Sequence, residues 1–352
     1  MRVDAFDFAL PEELIALRPM VPRDGARLLV VGRDGTIAHH TIHDLPRLLA
    51  RGDMLLANDT RVIAARLEGT RPARTEAGSN VTVEVLLNRR IEPGAYSALV
   101  RPARRLRSGD ELDLGRSLHA RIRSVRQAEA EIEFDLDGDA LDRAIAEQGK
   151  MPLPPYIARK RKADARDSSD YQTTFAAALG SVAAPTAGLH FTPELLAGLE
   201  HAGIARRTLT LHVGPGTFLP IRAEDTCAHR MHPEWAHLSQ ATADALNAAR
   251  ASGGRIAAVG TTALRTLETA AGADGTLHAF AGDTDLFITP GYRFKTAEIL
   301  LTNFHLPRST LFMLVCAFAG TETMKRAYAE AIRERYRFYS YGDACLLFRA
   351  PQ

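Results

Sequence analysis

The order of strand and helix patterns along the chain favours an α/β fold, interrupted by a small all-β insertion. Apolar runs typical of buried strands occur near both ends, as in ARLLVV (26–31) and DACLLF (343–348). Strand-like and helical patterns alternate through the second half, whereas short alternating runs separated by turn signals fill the region after residue 66. We therefore expect α/β segments over 1–66 and 149–352, with the insertion over 67–148.

The insertion is predicted from five alternating runs: VTVEVLL, AYSALVR, DELDLG, HARIRSV and AEIEFDL. The turn signals EPG, SGD and DGD separate them at the spacing of hairpins. This pattern predicts an antiparallel barrel or sandwich of about five or six strands. A short helix follows in LDRAIAEQ, and the prolines of segment 152–155 predict a stiff crossing back to the α/β part.

The second half begins with TPELLAGLEHAG, which predicts a helix with Thr192 as N-cap and Gly203 as its stop. Strands are expected in RRTLTLHVG, RIAAVG, TDLFIT, AEILLTNF and DACLLF. RIAAVG leads into a helix that has Thr261 or Thr262 near its cap. The stretch TLFMLVCAFAGTETMKRAYAEAIRERY is helical, with a break expected at Gly320.

Composition limits the class of protein. The chain is 46% hydrophobic and 24% charged, which is ordinary for a soluble globular protein. No run reaches the ~18–20 apolar residues of a membrane span, and the first residues lack an apolar signal core. The scattered cysteines Cys227, Cys316 and Cys345 fit a reducing compartment better than a disulfide framework. We therefore expect a cytoplasmic protein without a membrane partner.

Charge is unevenly distributed although the net value is only +2. Residues 89–126 contain ten arginines and no lysine, against four acidic residues, and a second basic run, ARKRKADAR, covers 158–166. These arginines are either a solvated surface or a polyanion-binding surface, because a guanidinium pairs with phosphate through two hydrogen bonds. The charge pattern alone leaves both interpretations open.

Small-residue loops that carry polar groups follow three of the expected strands, in LHVGPGTF, VGTTALR and LTNFHLPRST. Loops at the carboxyl ends of strands line the ligand crevice of open α/β sheets. Glycines there let the backbone approach a ligand, and threonines at a helix start can hold a carboxylate or phosphate. Together with VAAPTAGLHFT (182–192), these loops predict one composite small-molecule site.

Common sequence fingerprints are missing. The chain has no dinucleotide-binding glycine motif, no P-loop and no nucleophile elbow. His229 and His232, with Glu234 nearby, could hold a metal, but they lack the spacing of a known zinc site. We therefore expect no metal.

Seven motifs in fixed order carry a resemblance to a known family: NDTRVIAARL, MPLPPYI, VAAPTAGLHFT, TLHVGPGTF, VGTTALRTLE, LTNFHLPRSTL and YRFYSYGDA. The chain resembles the S-adenosylmethionine:tRNA ribosyltransferase-isomerase family of queuosine biosynthesis. The resemblance runs from DFALPEELIA to the C-terminus. It implies an unusual mixed α/β domain with an inserted small antiparallel β-barrel domain.

The resemblance also implies a reaction. The ribosyl part of S-adenosylmethionine, used as a substrate, is transferred to 7-aminomethyl-7-deazaguanine at the tRNA wobble position and isomerised there. Epoxyqueuosine-tRNA forms, and adenine and methionine leave. The expected partner is the tRNA that carries this base, and we expect the protein to act as a monomer.

Candidate site residues follow from this chemistry. A base is needed near the carbon that the sulfonium acidifies, and histidine has a suitable pKa, so His190 and His212 are the catalytic candidates. The cofactor-binding candidates come from the polar loops and from the first motif: Arg61, Thr186, Gly188, Phe191, Gly214, Gly216, Thr217, Phe218, Gly260, Thr261, Thr262, Arg265, Phe304 and His305. The tRNA-binding candidates are basic residues of the two arginine-rich runs: Arg101, Arg104, Arg105, Arg107, Arg159 and Lys160.

The chain departs from the family pattern at two places. Asp59 stands where the family usually has asparagine, which makes a catalytic role for that position doubtful. TEAGSNVTVEV replaces the Gly-Gly-Lys type of turn that usually opens the insertion. A different binding mode at that edge of the insertion is therefore an expectation.

Two other functions compete with this interpretation. A conventional methyltransferase would also use S-adenosylmethionine, but its glycine-rich strand-to-helix loop is missing near the start. A tRNA-binding protein without catalysis would account for the arginines but not for the composite loops.

Overall fold

A computed structural model describes residues 1–214, 216, 221 and 223–351. The strands are β1 (Arg27–Val31), β2 (Ile37–Thr41), β3 (Met54–Asn58), β4 (Thr60–Val62), β5 (Arg66–Arg71), β6 (Val81–Glu92), β7 (Ala95–Arg101), β8 (Glu111–Asp113), β9 (His119–Arg126), β10 (Glu129–Phe134), β11 (Ala178–Ser181), β12 (Ala205–Leu211), β13 (Glu234–Leu238), β14 (Ile256–Val259), β15 (Phe280–Thr284), β16 (Ile299–Asn303) and β17 (Ala344–Phe348). The helices are α1 (Leu45–Leu48), α2 (Gly138–Gln148), α3 (Pro155–Ala158), α4 (Asp167–Asp170), α5 (Pro193–His201), α6 (Gln240–Ala251), α7 (Thr261–Ala270), α8 (Thr310–Ala319) and α9 (Thr321–Arg333).

The α/β part is built on a mixed sheet of nine strands in the order β15-β13-β12-β3-β14-β16-β17-β1-β2. Its four central strands, β12, β3, β14 and β16, are mutually parallel. Alternate residues of these strands enter two apolar cores on opposite faces, as Leu55 and Leu56 do. Burial on both faces explains why the strands are almost continuously apolar.

The inserted part is a closed antiparallel barrel of six strands in the order β10-β7-β6-β5-β8-β9. Inward-facing residues such as Val83, Val85 and Leu87 of β6 alternate with more exposed ones and form a separate core. Closure pairs both edges of the sheet, so no edge strand is left open within the barrel. The predicted α/β fold with an antiparallel barrel is therefore confirmed, and the barrel replaces the sandwich alternative.

Most local expectations in the second half agree with the structure. Helix α5 starts after Thr192, whose Oγ1 accepts a hydrogen bond from the backbone N–H of Leu195 at 3.1 Å. Gly203 lies beyond its end with φ +79°. The long helical stretch is divided at Gly320, which has φ +91° and separates α8 from α9. Both glycines adopt a backbone conformation that other residues reach only with strain.

One expected strand is displaced in the structure, and several strands were not expected. TDLFIT is outside strand structure after Thr284, because the hydrogen-bonded strand β15 lies just upstream. Strand β15 lies at the edge of the sheet because it pairs with β13, a strand that the sequence patterns did not reveal. Helix α7 begins at Thr261, next to its N-cap Gly260 at φ +89°, so the threonines lie near the cap as expected, although no side chain caps the helix. Strands β2, β4, β5 and β11 were also not predicted.

No helix within the described parts of the chain combines the length and apolar character that crossing a membrane requires. The parallel arrangement has a direct consequence for the site. The carboxyl ends of β12, β3, β14 and β16 meet at one edge of the sheet, and the polar loops that follow them converge there.

Candidate substrate-binding and catalytic site

A narrow cleft lies at this carboxyl edge. The segment 182–192, the start of α7, the end of β16 and Tyr339 with Ser340 line it. Its volume is about 60 Å³, room for a few water molecules, so a nucleoside ligand requires the lining to move apart. Among the predicted residues, it brings together Thr186, Gly260, Thr261, Thr262, Phe304 and His305.

Asn58 joins two strands at the cleft. Its Nδ2 donates to the carbonyl oxygen of Leu211 at 2.9 Å, and its Oδ1 accepts from the backbone N–H groups of Leu211 and Thr60 at 3.0 and 3.1 Å. Because this side chain is buried, three hydrogen bonds fix the exit of β3 against the exit of β12. The asparagine thereby sets the position of the residue that follows Leu211, which is His212.

His212 is half-buried and faces a second, larger cavity. Its Nδ1 lies 2.8 Å from Thr60 Oγ1, and its ring lies parallel to that of Trp235 with centroids 5.3 Å apart. No hydrogen bond to its Nε2 is found among the residues that the structure describes. Burial lowers the pKa of His212, while the carboxylate of Asp59 acts in the opposite direction. In the tautomer whose Nδ1 donates to Thr60 Oγ1, the neutral ring leaves the Nε2 lone pair available as a proton acceptor.

His190 has a different environment within the 3₁₀ turn Thr186–His190. It is only 5% exposed, and its Nε2 lies 3.3 Å from Asn303 Nδ2. Asn303 Oδ1 in turn accepts from Thr186 Oγ1 at 2.9 Å. Burial, followed by the positive charges of Arg337 and Arg23, lowers the pKa of His190 to about 4. The ring is thus a neutral member of a buried hydrogen-bond chain behind the cleft.

His305 lines the cleft from the other side. Its Nε2 lies 3.0 Å from Thr302 Oγ1, its backbone N–H donates to Tyr328 Oη at 2.9 Å, and burial lowers its pKa to about 3.

Several other predicted residues lie outside the cleft or are held in the core beside it. Arg265 is buried and directs its guanidinium to the Glu234 carboxylate at 2.6 Å and to the carbonyl oxygen of Leu286 at 3.0 Å. Phe191 and Phe304 are fully buried, although Phe304 contributes to the cleft lining, so stacking of adenine on either ring would require it to leave its core. Arg61 is exposed on β4.

The glycine-rich loop after β12 is only partly described. Gly214 lines the larger cavity, and Gly216 lies against the ring of His232. Thr217 and Phe218 lie outside the described residues. Gly188 packs against Thr173, whose Cγ2 would be 3.1 Å from a β-carbon at that position.

Two aromatic residues at the site were not among those predicted from the sequence. Tyr339 lines the cleft with φ +76°, a rare conformation for a bulky side chain, and its ring meets Tyr156 edge-on at 4.3 Å. Trp235 is the only tryptophan of the chain and lies beside His212. The position of Tyr339 in the YRFYSYGDA motif was the available signal, whereas Trp235 belongs to an unpredicted strand.

Two remaining points concern Asp59 and the possible metal site at His229 and His232. Asp59 Oδ1 accepts from Thr210 Oγ1 at 2.8 Å, which holds the carboxylate beside β12. Among the described residues, no group of three or more His, Cys, Asp and Glu side chains is arranged to hold a metal ion.

The tRNA-binding candidates are all exposed. Arg101, Arg104, Arg105, Arg107 and Arg159 form no ion pair with any described residue, whereas Lys160 pairs with Glu12 at 2.6 Å. Other barrel arginines are neutralised, as Arg123 is by Glu92 and Glu133. The four barrel arginines among these candidates lie at the end of β7 and in the residues that follow it. We call this segment the arginine rim (101–107).

The arginine rim lies away from the larger cavity. In the antiparallel register of β6 and β7, the backbone of Arg101 lies opposite that of Glu84. Arg90, six residues further along β6, lines the cavity. At a rise of about 3.4 Å per residue, the two points are about 20 Å apart. Fold and site together define a class: a protein with a polar cleft at the carboxyl edge of an α/β sheet and a positively charged surface on an attached barrel.

Comparison with known proteins identifies the family. The family model described as queuosine biosynthesis protein matches residues 3–347. The S-adenosylmethionine:tRNA ribosyltransferase-isomerase of Methylobacterium sp. (strain 4-46) is 60% identical over 363 residues, covering 99% of each chain. That of Phenylobacterium zucineum (strain HLK1) is 56% identical over 360 residues, covering 99% of this chain and all of its own.

A solved structure shows the same likeness. The S-adenosylmethionine tRNA ribosyltransferase of Thermotoga maritima is 36% identical, with a TM-score of 0.56 over 98% of this chain and 100% of that chain. The chain therefore belongs to the queuosine biosynthesis protein family and is an enzyme.

Proposed function

We propose that the protein transfers the ribosyl part of S-adenosylmethionine to 7-aminomethyl-7-deazaguanine at the wobble position of tRNA and isomerises it. The products would be epoxyqueuosine-tRNA, adenine and methionine. The observation that carries the proposal is the convergence of five of the motifs at one cleft on the carboxyl edge of the sheet, in a chain whose relatives are named for this activity.

The cleft supplies groups suited to the donor. The first turn of α7 presents the backbone N–H groups of Thr261 and Thr262, which no described residue accepts, and the two threonine hydroxyls, all suited to the methionine carboxylate. Thr186 and Asn303 add polar atoms at the opposite wall. The sulfonium of S-adenosylmethionine is already a leaving group, so these residues need only orient the donor.

His212 is the base that we propose for the reaction. It combines a lone pair that no described residue engages, a neutral ring at pH 7 and an open cavity beside it. His190 is the competing candidate, but its Nε2 faces Asn303 and the ring is buried behind the cleft wall.

The inserted unit, which we take as residues 67–148, is proposed to hold the tRNA through the arginine rim. Replacing Arg104, Arg105 and Arg107 together by alanine should weaken tRNA binding and flatten its dependence on salt, because fewer counterions are released. Binding of S-adenosylmethionine should be unchanged. Measurement of tRNA affinity between low and high salt tests this, with the ion-paired Arg121 as a control variant. An unchanged slope would place the tRNA contacts elsewhere, first at 158–166.

Product analysis tests the whole proposal. The enzyme is incubated with ribosyl-labelled S-adenosylmethionine and tRNA carrying the 7-aminomethyl-7-deazaguanine base. Release of adenine with label retained on the tRNA is expected. Formation of S-adenosylhomocysteine would instead indicate a methyltransferase, and the absence of both products would leave a tRNA-binding protein.

A further inference from the structure

A second cavity, with a volume of about 360 Å³, lies between the barrel and the sheet. The barrel contributes Asn88, Arg90 and Tyr96, and the sheet side contributes His212 and Trp235. A cavity of this size is in the range that binds small ligands, unlike the cleft as it stands.

The cavity and the cleft share a wall. Val213 lines the cleft, whereas its neighbours His212 and Gly214 line the cavity. The wall is held in place by the buried Ser181, whose Oγ accepts from the Val213 N–H at 2.9 Å and donates to the carbonyl oxygen of Ala183 at 2.7 Å. A group-transfer enzyme has to bring a donor and an acceptor together, and two adjoining chambers provide a place for each.

The lining of the cavity suits a nucleotide. Trp235 is half-buried, and its ring lies near-parallel to those of His212 and the exposed His237, with centroids 5.3 and 6.1 Å away. Indole rings are effective platforms for bases, and a base stacks on this one where the exposed His237 moves aside. The guanidinium of Arg90 lies over the Tyr96 ring at 5.0 Å and pairs with the Asp142 carboxylate. Because Arg90 and Asp142 neutralise each other, the cavity offers a base chiefly aromatic surface, and the ion pair lies at its wall.

A charged contact joins the two sides next to the cavity. Arg89, which also lines the cavity, pairs with Asp283 of β15 at 3.0 Å, and both side chains are largely exposed. Exposed ion pairs contribute little stability, so this pair can exchange for contacts with a polyanion.

We propose that this cavity takes the base of the tRNA acceptor, a purine-like ring with a primary aminomethyl group, stacked on Trp235. The donor is held in the cleft on the other side of residues 212–214, and its ribosyl carbons have to pass that wall to reach both the acceptor and His212. This inference rests on the proposed function and assigns its acceptor to a particular site.

The single tryptophan makes the site observable. Intrinsic fluorescence is titrated with an anticodon stem-loop RNA that carries 7-aminomethyl-7-deazaguanine, and with the same RNA carrying uridine at that position. We expect saturable quenching at lower concentration with the modified base. Equal quenching curves for the two RNAs would overturn the proposal.

Steady-state kinetics give an independent test. Trp235→Ala should raise the KM for tRNA about ten- to a hundredfold, while Trp235→Phe, which keeps an aromatic ring, should restore most of the loss. The dissociation constant for S-adenosylmethionine should stay as in the wild type, and thermal melting checks that both variants fold. An unchanged KM for tRNA, or an equal loss of donor affinity, would overturn the assignment.

The two proposals fail in different ways. If the wild-type enzyme forms no ribosylated tRNA, the proposed function fails, and the fluorescence titration still decides whether the cavity binds the base. If ribosyl transfer proceeds but Trp235→Ala behaves as wild type, the function stands and the acceptor site is elsewhere.

Discussion

The loops that carry His190 and His212 look alike in sequence but differ in structure. Both are rich in glycine and small residues, and both place a histidine near the carboxyl edge of the sheet. His190 is buried and engaged through Asn303, whereas His212 faces an open cavity with no described partner at Nε2. Small residues therefore allow close packing in the first loop and access to a cavity in the second.

The largest effect should come from His212→Ala. Removing a general base costs about 10²- to 10⁴-fold in rate, so adenine release should fall by that factor. The melting temperature should change little because the ring is only half-buried. Single-turnover adenine release measures the rate, with the exposed His278→Ala as control. Near wild-type turnover would return the role to His190.

A second test acts on the position of the His212 ring. Gly180 has φ +141°, and a β-carbon there would lie 2.9 Å from Cε1 and Nε2 of His212. Gly180→Ala should displace the ring and lower the turnover number by up to about 10²-fold, because misplacement of a catalytic group by about 1 Å has that cost.

Gly253 provides a matched control for this substitution. It also has a positive φ, +83°, with open space around the added carbon, so Gly253→Ala introduces backbone strain without touching the site. Both variants should lose melting temperature, but only Gly180→Ala should lose turnover. An equal loss of turnover in both would mean that strain, and not the ring position, causes the effect.

His190→Ala should reverse the pattern of His212→Ala. Its loss leaves Asn303 with an unpaired buried amide, which costs about 1–3 kcal/mol of unfolding free energy. Denaturant unfolding should show this loss, while turnover per folded molecule stays within a few-fold of wild type. A 10²-fold loss of turnover with unchanged stability would make His190 the base.

The smallest effect concerns pH. The neutral ring of His212 is the active form, and burial places its folded pKa below the ordinary value of 6.5. Activity should therefore be constant near pH 7 and fall on the acidic side. Asp59→Asn removes the carboxylate that raises this pKa, so the acidic limb of kcat should move to lower pH. An unmoved limb would assign the titration to another group.

The sequence predicted the sheet, the barrel and most helices because these depend on local apolar periodicity. The runs of β3, β14 and β16 are apolar on both faces, and the barrel runs alternate. Strands β13 and β15 were missed or displaced because their pairing at the sheet edge is decided by long-range contacts. TDLFIT has strand-forming composition, but β13 pairs with the residues before it.

Site residues were harder to predict for a related reason. Motif position brought Thr186, Thr262 and His305 to one cleft, since strand direction determines where the loops lie. Burial does not follow from a motif. Arg265 is one turn into α7, as expected, yet its guanidinium is buried and donates a hydrogen bond to the Glu234 carboxylate. The cavity that contains Trp235 is formed by two parts of the chain, so no single segment could reveal it.

The location of the barrel within the chain has a consequence for folding during synthesis. Both neighbours of β3 in the sheet, β12 and β14, follow it by about 150 and 200 residues. At about 5–20 residues per second, roughly 8–30 s pass before β12 leaves the ribosome. All six barrel strands precede β12, so the barrel can close during this interval. The carboxyl edge of the sheet, which carries the cleft and needs β16, is therefore completed only when synthesis is almost finished.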